Sequence, residues 1–229
     1  MHLPRSPRFH GVSRYAGFLL IFAARLALGV PPATVNFTLD FPHSEPEHYA
    51  IAVNSDCHAT YDSNGKLSLQ SDEGVPFHLA FMVSSSACSK IFGLAKKAHY
   101  FEGQIDSNRP NLASTGAKTL AYKDGQTSHQ AAYNYSPVPA VQELTQLFQG
   151  LSTTLEFGRR LDYYRHYQKL ALNDELKALE QASRDNQISE LQAISPILQQ
   201  IVNDPGVLRV DRARAQSLLA AAGASGPGH

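Results

Sequence analysis

The 229-residue chain is 43% hydrophobic, and its charged fraction of 17% lies below the roughly 25% of average soluble proteins. This composition argues against a disordered chain and is sufficient for a buried core. Of its 20 basic residues, four arginines lie within residues 1–29, which contain no acid, and subtracting them leaves 16 basic against 20 acidic residues. A mildly acidic body has no electrostatic reason to bind a phosphate backbone, so we predict no nucleic acid partner.

The N-terminal segment predicts export. Residues 1–16 are basic, and the apolar run that follows, 17–30, has 14 residues and is too short to span a bilayer comfortably. Ala27-Leu28-Gly29 supplies the small residues of a cleavage site, so we predict a signal peptide over 1–29 and a secreted or periplasmic chain. The charge of Arg25 inside the apolar run leaves an amphipathic N-terminal helix as the alternative. No later segment is apolar enough to be a transmembrane helix, so no membrane contact is expected after cleavage.

Residues 34–135 predict a β-rich domain built on a mainly antiparallel sheet. Several segments alternate apolar and polar residues, which is the period of a strand with one buried face. These segments are 35–41, 48–53, 58–63, 76–84 and a strand pair around Asp124-Gly125. Asn64-Gly65 is the strongest hairpin signal in the chain and predicts a tight turn with a strand at 66–70 behind it.

One helix is inserted in this sheet, and it begins at a cysteine. Ser84–Ser86 can cap a helix over 88–101, whose first residue Cys88 raises the question of a thiol nucleophile. His99 lies eleven residues along, roughly 16 Å away at about 1.5 Å per residue, which is too far to act as its base. Since two cysteines in an exported chain favour a disulfide, we predict a structural Cys57–Cys88 bridge.

From residue 138 to 221 the apolar spacing changes to three and four, the period of a helix. The segment 139–182 is either one long helix or two helices broken near Gly150 or Asn173. Two further helices, at 188–204 and 206–222, resemble a single repeat of the HEAT type, a pattern that any amphipathic hairpin shares. The prediction is therefore an α+β fold with a C-terminal helical region at 138–221, followed by a disordered tail at 223–229.

A cluster at PHSEPEHY (42–49) is where a catalytic or metal site would be sought. His43, Glu45, Glu47 and His48 carry the imidazole and carboxylate groups that suit zinc. The prolines at 42 and 46 make this segment a connection between strands, where polar residues need no special role. We predict no catalytic residue, metal or cofactor. The alternative is a hydrolase that gathers His43, Glu45, Glu47, His48, His58 and Cys88 around one concave pocket.

The segment 161–177 and the residue before it concentrate aromatic and basic side chains on one helix. Tyrosine and arginine are favoured in interfaces because they combine a large contact area with a polar end. The interaction candidates are Arg160, Tyr163, His166 and Tyr167. A plain amphipathic helix over the sheet gives a similar pattern. The function predicted is a non-catalytic binding or interaction module with a protein or peptide partner; a small-ligand carrier on the concave side of the sheet remains open.

Overall fold

The computed structural model describes residues 31–68 and 71–224, and the predicted signal peptide lies outside this part of the chain. The predicted α+β fold is confirmed, with an antiparallel sheet, one inserted helix and a C-terminal helical region. The strands are β1 (Thr34–Asp40), β2 (His48–Asn54), β3 (His58–Ser63), β4 (Phe77–Met82), β5 (Ala117–Lys123) and β6 (Ser128–Tyr133).

All strand pairs are antiparallel, and their order across the sheet is β4-β3-β2-β1-β5-β6. Phe37 of the central strand is paired with Ile51 on one side and Leu120 on the other, and all three are buried. Because successive side chains alternate between faces, these residues lie on the face that forms the core. The opposite face carries small and polar side chains that stay partly exposed, such as Thr38 and Ala50.

The helices are α1 (Ser85–Lys97), α2 (Pro139–Tyr167), α3 (Leu172–Arg184), α4 (Ser195–Asn203) and α5 (Arg209–Ala224). Short 3-10 turns lie at Lys169–Ala171 and Leu191–Ile194, and His99–Phe101 form a left-handed turn. α5 continues to Ala224, through the first residues of the predicted tail, and residues 225–229 lie outside the described chain.

The long helix α2 joins the helical region to the sheet. The ring of Phe148 stacks on Phe37 with centroids 5.3 Å apart, and both belong to one hydrophobic core. The segment 139–182 forms two helices instead of one. The first, α2, passes through Gly150 without a break and ends at Tyr167, and α3 begins at Leu172, beside Asn173. A Cβ atom on Gly150 would lie 2.5 Å from Ser189 Oγ, so this glycine serves a close packing contact instead of a helix break.

The predicted disulfide is confirmed. Cys57 and Cys88 are bridged with their Cα atoms 5.5 Å apart, which links the β2–β3 turn to the first turn of α1. Ser84 caps this helix by accepting the Ala87 N–H at 3.0 Å. Glu190, from the segment before α4, accepts the Ser84 N–H at 2.7 Å, so a carboxylate from the helical region lies at the N-terminus of α1.

Two local predictions are wrong. β3 pairs with β4, and Asn64-Gly65 lies in the long connection between them, where residues 66–68 form no strand. Neither residue has the positive φ that a type I′ hairpin turn requires. The inserted helix also ends at Lys97, because His99–Phe101 have left-handed φ values of 50°, 54° and 65°.

Candidate functional site

A groove of about 620 Å³ runs between the edge strand β4 and the C-terminal half of α2. The 3-10 turn at Leu191–Ile194 and the start of α4 form its far wall. We name it the tyrosine groove, and its walls are represented by Val75, Phe77 and Leu79 on the sheet side and Tyr163, Tyr167 and Ile197 on the helical side. Its lining is mainly apolar, with a few polar groups, which is the usual character of a binding cleft.

Three of the four predicted interaction residues line this groove. Tyr163, His166 and Tyr167 are spaced by three and four, so they lie on one face of α2. Tyr167 is 74% exposed, and its ring lies 5.1 Å from that of Tyr163, measured between centroids. Arg160 points elsewhere, because its Nε donates to Glu175 Oε1 at 2.7 Å. Three of the predicted residues thus line the helical wall of the groove, and their role in binding stays a prediction.

The sheet side of the groove is an open edge. In the part of the chain that the structure describes, β4 is bordered by β3 alone. Its sequence, FHLAFM, contains no Lys, Arg, Asp or Glu, whereas natural edge strands usually carry charges that block pairing with another chain. Phe77, Leu79 and Phe81 lie on the helix-covered face and are only partly buried. Among the described residues, one side of β4 therefore has no strand paired with it.

A buried ion pair lies under the groove. The side chains of Glu156 and Arg159 are 3% and 5% exposed, and Glu156 Oε2 lies 3.7 Å from Arg159 Nη1. Arg159 Nη2 donates to the Val75 carbonyl at 2.6 Å, and the guanidinium covers the ring of Phe77 at 4.9 Å from its centroid. Within the described residues, Arg159 Nη1 has no hydrogen-bond acceptor.

The carboxylate of this pair is held by hydroxyl groups from the sheet. Glu156 Oε1 accepts from Tyr61 Oη at 2.8 Å and from Ser63 Oγ at 2.6 Å. Burial raises the pKa of Tyr61 well above its ordinary value, and the nearby Glu156 carboxylate raises it further. Tyr61 therefore stays neutral and remains a hydrogen-bond donor to Glu156 at physiological pH.

The six residues of the hydrolase alternative are not gathered around one pocket. Cys88 is in the disulfide, Glu45 lines a cavity of about 390 Å³ beside α2, and His58 lines a separate one of about 320 Å³. His48 Nδ1 lies 2.5 Å from Asp40 Oδ1 on the open face, and His43 N–H donates to Glu47 Oε1. Among the described residues, no three His, Cys, Asp or Glu side chains are grouped to hold a metal ion.

A larger cavity, of about 760 Å³, borders the other edge strand, β6, and contains a buried lysine. Lys118 Nζ donates to Thr115 Oγ1, to the Gly116 carbonyl and to the Asn134 carbonyl, at 2.8, 3.0 and 2.9 Å. Burial lowers the pKa of Lys118, while the charge of Asp106 opposes this shift. Because all three ammonium donors are already used, Lys118 acts as a structural clamp, and the tyrosine groove is the better candidate site.

The comparisons with known proteins add no family. The chain matches no protein-family model, and a search of curated proteins found no match. Over residues 31–68 and 71–224, no helix combines the length and apolar character needed to cross a membrane.

Proposed function

We propose that this chain is an exported, non-catalytic binding protein that takes up an extended segment of another polypeptide along β4. The observation that carries the proposal is that an unblocked edge strand and an apolar groove lie side by side. A segment that pairs with β4 would direct every second side chain toward the helix-covered face, where Phe77 and Leu79 border the groove.

The two parts of the site have different roles in this proposal. Main-chain hydrogen bonds to β4 supply affinity for any extended segment, and the groove supplies selection among side chains. Tyr163 and Tyr167 offer large, rigid contact areas with polar ends, which is typical of residues that dominate binding energy. We therefore expect a partner segment whose apolar side chains alternate with polar ones.

The proposed location is secreted or periplasmic. The Cys57–Cys88 disulfide supports an oxidising compartment, because disulfides persist there and are rare in the cytosol. The basic and then apolar pattern of residues 1–29 supports the same location. In that setting a binding protein meets unfolded or flexible segments of other exported chains.

To test the proposal, the protein is titrated into pools of fluorescent heptapeptides, and binding is measured by fluorescence anisotropy. In these peptides Val, Leu, Ile or Phe alternates with Thr or Lys. A second set has the same composition with its apolar residues in one block. We expect the alternating pools to bind, and Leu79→Lys to weaken that binding about tenfold or more because it places a charge in the groove.

Gln130→Lys is the matched control, because it adds the same charge at an exposed position of β6, the other edge strand, and leaves β4 unchanged. This control variant should retain the affinity of the unmodified protein. Absence of binding by the alternating pools, or equal weakening by both lysine variants, would overturn the proposal.

A further inference from the structure

We infer that the protein forms a reversible homodimer in which β4 pairs antiparallel with the partner's β4, and that a peptide displaces this partner when it binds. The competition rests on the proposed function, because the peptide and the second copy use the same edge of the sheet. Three observations support a second copy at this edge: the incomplete burial of β4, its own side-chain pattern and its lack of charge.

β4 is the least buried strand of the sheet. Among the six described strands, it is the one in which no residue is buried, although four of its six side chains are Phe, Leu, Phe and Met. Phe77, Leu79 and Phe81 pack against the core but stay partly exposed, and Met82 is 51% exposed. A contiguous apolar patch on an unpaired strand is the kind of surface that another chain covers.

The sequence of β4 has the pattern that the proposed site selects. The proposed function expects an extended segment whose apolar side chains alternate along the chain, and β4 itself places Phe77, Leu79 and Phe81 on one face. A second copy therefore presents such a segment at its own edge. The segment is already extended, so less conformational entropy is lost on pairing than with a flexible peptide.

A two-fold axis perpendicular to the sheet produces this pairing. Because paired residues of antiparallel neighbours point to the same face, the axis places Leu79 opposite the partner's Leu79, or Ala80 opposite the partner's Ala80. In either register the helical layers of both copies lie on the same face of one continuous sheet. The apolar side chains of the two strands then lie side by side, next to both tyrosine grooves.

The charges at this edge are compatible with self-pairing. β4 contains no Lys, Arg, Asp or Glu, so pairing with itself brings no like charges opposite one another. His78 Nδ1 lies 2.7 Å from Asp62 Oδ1, so a protonated His78 has a counter-charge within its own subunit. The other edge strand, β6, also lacks these residues, but its sequence SHQAAY is more polar and its Tyr133 is buried within its own subunit. A hydrophobic contact is therefore favoured at β4.

The contact area predicts a weak dimer. Six residues extend about 20 Å, and a sheet with one helical layer is about 20 Å high, so each copy buries roughly 400 Å². The total of roughly 800 Å² is below the ~1,200 Å² at which stable complexes begin. We therefore expect a dissociation constant of roughly 10–100 µM, which leaves the partner replaceable by a peptide.

Sedimentation velocity over about 1–300 µM protein tests the dimer, and the sedimentation coefficient should rise with concentration. Leu79→Lys should weaken self-association about tenfold or more, because it places two like charges in the apolar contact. Gln130→Lys, on β6, is the matched control and should dimerise as the unmodified protein does. A monomer over the whole range, or a dimer weakened by the β6 variant and not by the β4 variant, would overturn the inference.

A charge swap tests whether the two copies of β4 face each other. Ala80 is exposed on the open face of the sheet, so Ala80→Lys and Ala80→Glu should both fold. Each variant alone should dimerise a few-fold more weakly than the unmodified protein. An equimolar mixture should associate more tightly than either variant alone, because opposite charges then meet across the two-fold axis. A mixture that associates no more tightly than its components would overturn the pairing of β4 with itself.

The alternating heptapeptide pool distinguishes a failure of this inference from a failure of the proposed function. We expect the pool to convert the dimer into a peptide-bound monomer. A protein that is monomeric throughout and binds the pool, or a dimer that binds the pool without dissociating, would overturn the inference and leave the proposed function in place. A dimer whose monomer, at about 1 µM protein, binds no peptide would overturn the proposed function and the competition, and would leave the dimer.

Discussion

Glu156 and Arg159 lie one turn apart on α2, and both side chains are almost fully buried. Their hydrogen bonds reach the sheet at Tyr61 and Ser63 and the connection before β4 at Val75. Breaking a buried pair by removing one charge is costly, because the remaining charge has no partner and no water. The pair is therefore one of the contacts that hold α2 on the sheet.

The first prediction concerns the charge of Glu156. Glu156→Gln keeps an acceptor for Tyr61 and Ser63 and removes the counter-charge of Arg159, so the free energy of unfolding should fall by about 3 kcal/mol. Urea denaturation measures this change. Glu143→Gln on the same helix is the control, because its partner Lys90 is about half exposed, and it should leave stability nearly unchanged. Equal effects of the two substitutions would contradict the account.

At the scale of residues, the sequence indicated the residues of one wall of the tyrosine groove and not those beneath it. Tyr163, His166 and Tyr167 could be found because their spacing places them on one helix face. Glu156 and Arg159 could not, since a buried ion pair one turn apart has the same spacing as an exposed one. The contacts that bury them are distant in sequence: Tyr61 lies 95 residues from Glu156, and Val75 lies 84 residues from Arg159.

Among the elements, α1 is attached at its N-terminus by two independent links. The disulfide joins it to the β2–β3 turn, and Glu190 joins it to the segment before α4. The disulfide lies near the C-terminal end of β4, the end away from Val75, because Val83 N–H donates to the Cys57 carbonyl. Removing the disulfide should therefore affect stability more than binding.

The second prediction follows from the sequence separation of 31 residues that the disulfide spans. Replacing both cysteines, Cys57→Ala with Cys88→Ala, should lower the free energy of unfolding by roughly 3–4 kcal/mol, because the unfolded chain regains loop entropy. Urea denaturation without reductant measures the change, and the peptide affinity of the folded fraction serves as the control. The prediction would be contradicted if the urea midpoint of the double variant were unchanged. It would also be contradicted if the variant lost peptide binding while its stability stayed the same.

The strands were predictable because alternation of apolar and polar residues is typical of a strand with one buried face. Asn64-Gly65 misled the prediction because its glycine serves another purpose. A Cβ atom at Gly65 would lie 2.5 Å from Glu156 Oε2 and 2.9 Å from Glu45 Oε1, so this position lets the connection approach the buried carboxylate. A turn motif and a close approach both select glycine, and local sequence does not distinguish them.

Across the whole molecule, the sheet and the helical region share one hydrophobic core. Apolar residues recur every two residues in the strands and every 3.6 residues in the helices, and these periods predicted the sheet and the helical region. They carry no information on how the two pack together. α2 lies across the sheet with its C-terminal half beside β4, and this placement creates the groove. The open edge is a consequence of strand order, which depends on pairings between distant segments.

The most direct test of strand addition is amide hydrogen exchange, measured with and without a saturating concentration of the alternating heptapeptide pool. The account predicts slower exchange at alternate amides of β4, residues 77–82, and no change in β6, residues 128–133, which is the other edge of the sheet. Exchange that slows in β6, or that stays unchanged in β4 while the peptide is bound, would contradict it.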